Sequence, residues 1–307
     1  MSKSITDGRR REFLKTALGG IATVAVGSHA ASAVNSPIPG KSGHVRFGVR
    51  GPFDPKMTIR ERALLLQKLG YDGLELGNEF SDRSPESVLD EIKGTGIAIS
   101  AVVGSIKLLD LDPAVRAQAV ETDRKQLEMA KALGALGVIE VPVFGPNLFQ
   151  DLSPIMTPLE IKDRLLIEGF KQLAPDLART GIKILLEPLT KKETHYMNLQ
   201  GHGARIIEAV GSPGIALLSD YYHMQMEEFD IGATLGTYGK HTAYVHLADG
   251  AQRTEPGSLP FDYRPGFKSL KKWGFSGWLT IESKATDNAE AALGRALKYL
   301  KQQWAEA

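Results

Sequence analysis

Hydrophobic residues from His44 onward alternate between short continuous runs and longer amphipathic segments. A short, continuous apolar run is typical of a parallel strand that is covered on both faces. The runs are Val45–Val49, Gly73–Leu76, Ile97–Val103, Val138–Val143, Ile182–Leu186, Ile215–Leu218, Ala243–Leu247 and Trp278–Ile281. We therefore expect eight buried strands.

The segments between these runs carry apolar residues at helical spacing, and most of them end at a glycine. They are Thr58–Leu69, Ser84–Lys93, Pro113–Leu133, Pro158–Arg179, Gly203–Val210, Phe267–Trp273 and Ala289–Trp304. Strands that alternate with helices in this way predict an α/β fold, a closed (β/α)₈ TIM barrel. A doubly wound open sheet is the alternative, but it usually carries a glycine-rich phosphate loop after its first strand, which the sequence at 48–52 does not match.

The first residues have the pattern of a targeting segment. Arg9–Arg11 precede Glu-Phe-Leu-Lys, an apolar run of small residues follows, and Ala-Ser-Ala33 ends it. This resembles a twin-arginine export signal. We expect a signal peptide over residues 1–33, a flexible lead-in over 34–43 and the barrel over 44–307. Cleavage after Ala33 would release a periplasmic protein that has no membrane association.

The amino-acid composition limits the binding partners and the types of metal ligand that the chain can use. The 37 basic and 36 acidic residues give a formal net charge of +1, which argues against a nucleic-acid partner reached through bulk electrostatics. The chain has no cysteine, so disulfides, thiolate ligands and thiol nucleophiles are excluded. Any metal ion must be held by histidine and carboxylates.

Each of the last four predicted strands ends in a side chain of the metal-ligand type. These side chains are Glu187, Asp220, His246 and Glu282. In a TIM barrel the carboxyl ends of the strands meet at one face, so the four would converge there. A single carboxylate at a strand end is more often a helix cap or a surface charge, but four in succession favour a metal site. Three carboxylates and one imidazole suit Mn²⁺, Mg²⁺ or Co²⁺ better than a structural zinc.

The same four strand ends carry a family resemblance that covers essentially all of residues 44–307. The motifs are Leu-Leu-Glu187-Pro, Ser-Asp220-Tyr-Tyr-His223, Val-His246-Leu-Ala-Asp and Thr-Ile-Glu282. They resemble the xylose isomerase-like TIM-barrel superfamily, and within it the ketose 3-epimerases and hydroxypyruvate isomerases. The resemblance implies that the four residues bind a divalent metal, Mn²⁺ above all. It also implies that Glu187 and Glu282 move a proton beside a sugar carbonyl through an enediolate, as an isomerase or epimerase does.

Three further residues match substrate-binding positions of that superfamily. Glu193 lies six residues after Glu187, although in its Lys-Lys-Glu context a solvated loop charge is equally compatible. His223 lies three residues after Asp220, and Arg253 lies seven after His246, where relatives have a spacing of six. The implied partner is a sugar or keto-sugar. Many relatives are dimers or tetramers, which leaves a homo-oligomer open.

Other activities remain compatible with the pattern. A lyase that cleaves 3-keto-glycosides would use the same proton abstraction. A more distant alternative, an apurinic-site endonuclease, would need more histidine ligands and a basic DNA groove. Two more strand-end carboxylates, Glu75 and Glu140, could line the pocket, cap a helix or pair with an arginine.

Overall fold

Nine parallel strands form a nearly closed barrel in residues 44–307, the part of the chain that the computed structural model describes. The strands are β1 Arg46–Gly51, β2 Gly73–Leu74, β3 Ala98–Ile99, β4 Ala101–Val103, β5 Gly137–Glu140, β6 Lys183–Leu186, β7 Ile215–Asp220, β8 Thr242–Leu247 and β9 Trp278–Glu282. Their order in the sheet is β3-β2-β1-β9-β8-β7-β6-β5-β4. The predicted signal peptide (1–33) and lead-in (34–43) lie outside the described residues.

Strands β3 and β4 are two halves of the run that the sequence predicts as one strand, and Ser100 alone separates them. The first half pairs with β2 and the second with β5. This interrupted strand thus joins the two ends of the sheet. The prediction of a (β/α)₈ TIM barrel is confirmed.

Helices connect the strands along the outside of the barrel. In residues 44–307 they are α1 Ile59–Leu69, α2 Pro85–Ile92, α3 Pro113–Leu133, α4 Pro158–Thr180, α5 Gln200–Val210, α6 Tyr221–Glu227, α7 Ile231–Tyr238, α8 Arg264–Lys272 and α9 Ala289–Glu306. Capping boxes start α1 and α4, where Thr58 and Thr157 bond the third residue of each helix. Left-handed glycines end α1 and α4 at Gly70 and Gly181, as the sequence predicts.

The short helices α6 and α7, between β7 and β8, were not recognised from the pattern. Helix α6 has seven residues and begins directly at the end of β7, where the Asp220 side chain caps it. Helix α7 has eight residues, two of which, Gly232 and Gly236, lower its helix propensity. Segments this short fall below the window in which helical periodicity stands out.

The barrel has an inner core of large and small side chains. It comprises Ala101, Ile139, Leu185, Leu218, Tyr244 and Trp278. A larger apolar layer packs between the strands and the surrounding helices. A Cβ atom at Gly73 would lie 2.4 Å from Cη2 of Trp278, so the glycine lets the indole ring pass close to β2. No helix of residues 44–307 is long and apolar enough to span a bilayer.

Candidate metal centre and active site

The four side chains predicted as metal ligands come together at the carboxyl end of the barrel. Glu187, Asp220, His246 and Glu282 each offer one ligand atom, and these atoms all lie within 4.8 Å of one another. Three of the residues are buried, and the Glu282 side chain is 22 % exposed. The structure therefore brings the four predicted residues together, in a cluster that could bind a divalent metal ion.

The strands set the position of each side chain. Glu187 is the residue after β6, and its backbone N–H continues the sheet by donating to the Glu140 carbonyl over 3.0 Å. Asp220 and Glu282 end β7 and β9. Oδ1 of Asp220 accepts the Tyr222 backbone N–H at 2.7 Å, which leaves Oδ2 for the cluster. The backbone hydrogen bond of Glu187 and the helix cap made by Asp220 thus also orient these two carboxylates.

His246 is held between two sets of carboxylates. Its Nε2 lies 2.7 Å from Oε2 of Glu75, on the side away from the cluster. Its Nδ1 lies 2.8 Å from Oε2 of Glu282 and 3.3 Å from Oε1 of Glu187. The Tyr244 hydroxyl also donates to Oε2 of Glu75, at 2.8 Å. Glu75 thereby fixes the orientation of the ring, the arrangement found behind metal-binding histidines in general.

The donor set fits a divalent cation. Burial alone would lower the pKa of the His246 imidazole, but the carboxylates of Glu75 and Glu282 outweigh it and raise that pKa well above its usual range. Nε2 of the imidazole is committed to Glu75, and Nδ1 lies among the clustered carboxylates, where it could bind a divalent ion together with them. The carboxylates and one nitrogen are the ligand chemistry of Mn²⁺, Mg²⁺ or Co²⁺.

Two arginines border the cluster on the side of β9. Arg50 reaches Oε1 of Glu75 at 2.9 Å and Oε1 of Glu282 at 3.0 Å. Arg253 reaches Oδ2 of Asp220 at 2.9 Å and Oε2 of Glu282 at 2.6 Å. Each guanidinium therefore bridges two carboxylates, and both bind Glu282.

The two predicted acid/base residues lie in different electrostatic environments. Burial raises the pKa of Glu187, and the nearby His246 lowers it only in part. Burial acts in the same direction on Glu282, but His246, Arg253 and Arg50 together hold the Glu282 pKa well below its usual range. Carboxyl groups whose environments separate their pKa values in this way are suited to opposite proton-transfer roles.

His223, predicted to bind substrate, faces the cluster from helix α6. Its Nδ1 accepts the Thr190 backbone N–H at 3.1 Å, so the ring proton of the neutral imidazole lies on Nε2. Nε2 lies 3.4 Å from Oδ2 of Asp220 and 4.0 Å from Oε1 of Glu187. The backbone contact therefore presents a hydrogen-bond donor to the site.

Arg253 reaches the site in spite of its altered spacing, because its loop has an unusual backbone. It has a φ of 56°, in the left-handed region, and its guanidinium stacks 4.6 Å from the centre of the Tyr222 ring. Asp249 secures the loop by accepting the backbone N–H groups of Gly257 and Leu259, at 2.7 and 3.0 Å. These bonds hold the loop that carries Arg253 in a fixed turn.

Glu193 is half-buried on the loop after β6, and its carboxylate belongs to the electrostatic environment of Arg253. Its backbone carbonyl accepts the Gly145 N–H at 2.7 Å, which joins this loop to the loop after β5. Glu193 thus lies at the edge of the site rather than against the four clustered residues.

Glu140, one of the strand-end carboxylates named from the sequence, lies away from the cluster, and so does His202. Glu140 is fully buried beneath Gly104, where it faces Asp123 of α3; a Cβ at Gly104 would lie 2.4 Å from Oε2 of Glu140. Burial raises the pKa of Glu140 well above its usual range and that of Asp123 to about 7. His202 pairs with Asp163 at 2.7 Å. Glu75 pairs with an arginine, one of the alternatives that the sequence leaves open, and that arginine is Arg50. The sequence does not single out Arg50, and it does not predict the contact of Glu75 with His246.

Comparison with known proteins agrees with this geometry. A family model described as xylose isomerase-like TIM barrel matches residues 64–303. The chain is similar to the 3-dehydro-D-guloside 4-epimerase of Escherichia coli, at 26 % identity over 76 % of this chain and 91 % of the relative. It is also similar to a probable ketose 3-epimerase of Synechocystis, at 25 % identity over 82 % of this chain and 89 % of the relative.

Among solved structures, the chain resembles that of 3-keto-D-glucoside 4-epimerase from E. coli. The TM-score is 0.74 at 24 % identity, with 84 % of this chain and 99 % of that chain covered. At this identity the likeness concerns the fold, and the near-complete coverage means that the two barrels correspond along their whole length.

Proposed function

Because the chain belongs to the xylose isomerase-like TIM barrel family, we propose that it is a metal-dependent sugar isomerase or epimerase. It acts on a keto-sugar by removing the proton of the carbon beside the carbonyl and returning a proton to the same or the adjacent carbon. The observation that carries this proposal is the convergence of Glu187, Asp220, His246 and Glu282 in one cluster, with two bases among the ligand-type groups.

The four clustered residues would hold the metal, and two of them would also transfer protons. A divalent ion held by the four clustered residues would polarise the carbonyl and neighbouring hydroxyl oxygens of the substrate. Glu187 and Glu282 follow β6 and end β9, with β7 and β8 between them, and so approach the substrate from different sides. One carboxylate removes a proton and the other returns one.

The neighbouring residues bind and orient the substrate. The Nε2–H of His223 and the guanidinium of Arg253 donate hydrogen bonds to substrate oxygens, and Glu193 accepts one from a hydroxyl. Arg253 and Arg50 also keep Glu282 ionised, because both guanidiniums contact its carboxylate. Glu282 is therefore the proposed base for the first proton.

Epimerisation or isomerisation is favoured over the lyase alternative. Cleavage of a 3-keto-glycoside would begin with the same proton abstraction, but the similar proteins named above are epimerases. Both a free ketose and a 3-keto-glycoside remain within the proposed substrate class, because the relatives act on both kinds of sugar by name.

We further propose which metal the protein binds, where it is located and what class of substrate it takes. The metal is Mn²⁺, which carboxylate-rich sites with one imidazole accept readily. The location is the periplasm after twin-arginine export, on the pattern of residues 1–33. A near-neutral net charge supports a small-molecule substrate rather than nucleic acid.

The test is incorporation of solvent deuterium into a panel of free ketoses and 3-keto-glycosides, followed by mass spectrometry. With Mn²⁺ present we expect deuterium beside the carbonyl and an epimer or isomer as product. A chelator should stop both, and added Mn²⁺ should restore them. Undiminished activity in chelator would contradict the metal role, and an eliminated aglycone as the only product would favour the lyase.

A further inference from the structure

A cavity opens on the face of the barrel that carries the metal cluster. None of the four clustered residues lines it. It has a volume of about 220 Å³ and lies between the loops after β4, β5 and β6 and the first turns of α4. Its walls are mostly apolar, among them Leu109, Leu111, Val143, Phe144 and Phe149. The cavity is smaller than the roughly 300–1,000 Å³ typical of drug-sized ligands, so it suits a small one.

One buried cation lines this apolar pocket without an ion-pair partner in the described part of the chain. Lys162, in the second turn of α4, lines the pocket and is only 4 % exposed. Within residues 44–307 its ammonium makes no hydrogen bond or ion pair; its contact is with the Tyr196 ring, 5.3 Å from the centroid. A buried charge without a partner is unfavourable, so this site would gain from an anion.

Asp163, the acidic residue next to Lys162 in the chain, is bonded to two other side chains through one of its oxygens. Asp163 directs Oδ1 to Nε2 of His202 and to the hydroxyl of Tyr196, both at 2.7 Å. Burial lowers the pKa of Lys162, and Asp163 offsets this only in part. Lys162 lines the cavity and forms no ion pair with Asp163 in residues 44–307.

The other charged groups around the pocket lie nearer to solvent. Lys107 is exposed, and Asp110 uses Oδ1 to accept the Asp112 backbone N–H at 3.0 Å. His195 is exposed and contacts the Gly145 carbonyl through Nδ1 at 3.1 Å. The amino end of the 23-residue helix α4 adds a positive potential beside Lys162. The pocket thus combines one buried positive charge, that of Lys162, with mostly apolar walls.

We propose that this pocket binds a small organic carboxylate with a flat apolar body, with the carboxylate on Lys162 and the body between Phe144, Phe149 and Val143. One buried ammonium balances one negative charge, whereas a phosphate dianion would need several donors. The apolar walls favour a ring or short chain over a bare inorganic anion. The site does not depend on the proposed catalytic function, because none of the clustered residues lines it.

Binding is tested by isothermal titration calorimetry with benzoate, benzyl alcohol and inorganic phosphate as probes. For the unaltered protein we expect benzoate to bind at least tenfold more tightly than either of the others. Equal affinity for benzyl alcohol would overturn the role of the charge, and equal or tighter binding of phosphate would overturn the role of the apolar walls. No heat of binding with millimolar benzoate would overturn the proposal.

Variants locate the site. Lys162→Met should weaken benzoate binding at least tenfold, and Lys162→Arg should keep it within a few-fold. The matched control is Lys171→Met on the same helix, where the lysine is exposed and pairs with Glu168, and binding should not change. Full binding by Lys162→Met would overturn the proposal. Benzoate binding retained in Glu282→Gln would support a site separate from the metal cluster, and its loss would overturn that separation.

Discussion

His246 and Glu75 are joined by a contact of 2.7 Å between Nε2 and Oε2, although 171 positions separate them in the chain. Glu75 is fully buried and also accepts from the Tyr244 hydroxyl and Arg50. The imidazole therefore has one nitrogen committed to the protein and one directed at the cluster. Glu75, which is not one of the four clustered residues, would thus orient the imidazole for metal binding.

Glu75→Gln should lower metal affinity. The neutral amide can still accept the Nε2 proton, but it no longer increases the electron density on Nδ1. Loss of such a partner typically weakens metal binding by about 10–100-fold. Competition titration of Mn²⁺ against a fluorescent chelator measures the change, with Glu290→Gln, an exposed residue paired with Lys68, as the control. An unchanged affinity would remove Glu75 from the metal centre.

Glu187→Gln and Glu282→Gln should each abolish most proton exchange. The amides keep the shape of the side chains but cannot take a proton, and a positioned base contributes about 10²–10⁴-fold to rate. Deuterium incorporation measures the loss, and circular dichroism checks the fold. Glu168→Gln, on the exposed face of α4, should behave like the unaltered protein. If either cluster variant exchanged at the normal rate, the acid/base assignment would be wrong.

Arg253→Lys should reduce kcat/KM by about 10–100-fold, because a lysine keeps the charge but has no second donor to match Nε, which bonds the Glu282 carbonyl while Nη2 contacts the carboxylates of Asp220 and Glu282. Both residues carry a Cβ, so the cost of the left-handed backbone at this position is the same in the two proteins. Steady-state kinetics at saturating Mn²⁺ measures the effect. The control is Arg264→Lys, an exposed arginine paired with Asp262. Equal kinetics for the two variants would contradict a role in the site.

The buried pair of Glu140 and Asp123 should make stability fall as pH rises. Both have raised pKa values in the folded protein, that of Asp123 to about 7, whereas unfolded values are about 4. The folded state therefore holds more protons between about pH 4 and 7. The stability that this proton binding contributes is fully present below about pH 4 and is lost as the pH rises through the range. The free energy of unfolding falls by up to about 1.4 kcal/mol per pH unit for each proton.

Glu140→Gln tests this pH dependence, because the amide is of similar size and cannot ionise. Urea unfolding between pH 4 and 8 should give a flatter profile than for the unaltered protein. The control Glu168→Gln replaces an exposed carboxyl and should leave the profile unchanged. A slope that survives in Glu140→Gln would show that other groups produce it.

Sequence alone predicted the barrel and the four clustered residues for a simple reason. Strands buried on both faces are continuous apolar runs, and parallel strands bring their carboxyl ends to one face, so Glu187 and Asp220 could be placed together from their positions in the chain. The catalytic and metal-binding roles remain predictions that the experiments above test.

What the sequence could not provide was the partner of each polar side chain. Glu75 directly follows β2 and Glu140 ends β5, yet one supports His246 and the other lies beneath Gly104 against Asp123. That difference depends on contacts between distant strands and helices. Arg50 carries no local signal either, because its two carboxylate partners lie 25 and 232 positions away (75 − 50 and 282 − 50).

The close approach of Gly73 to the Trp278 ring limits how the barrel interior can be redesigned. Any side chain at position 73 would occupy space that the indole already fills, at 2.4 Å from Cη2. The side chains at positions 73 and 278 therefore compete for the same space inside the barrel. A larger residue at position 73 therefore needs a smaller one at position 278 in the same variant, because the first change alone overlaps the indole and the second alone leaves a cavity.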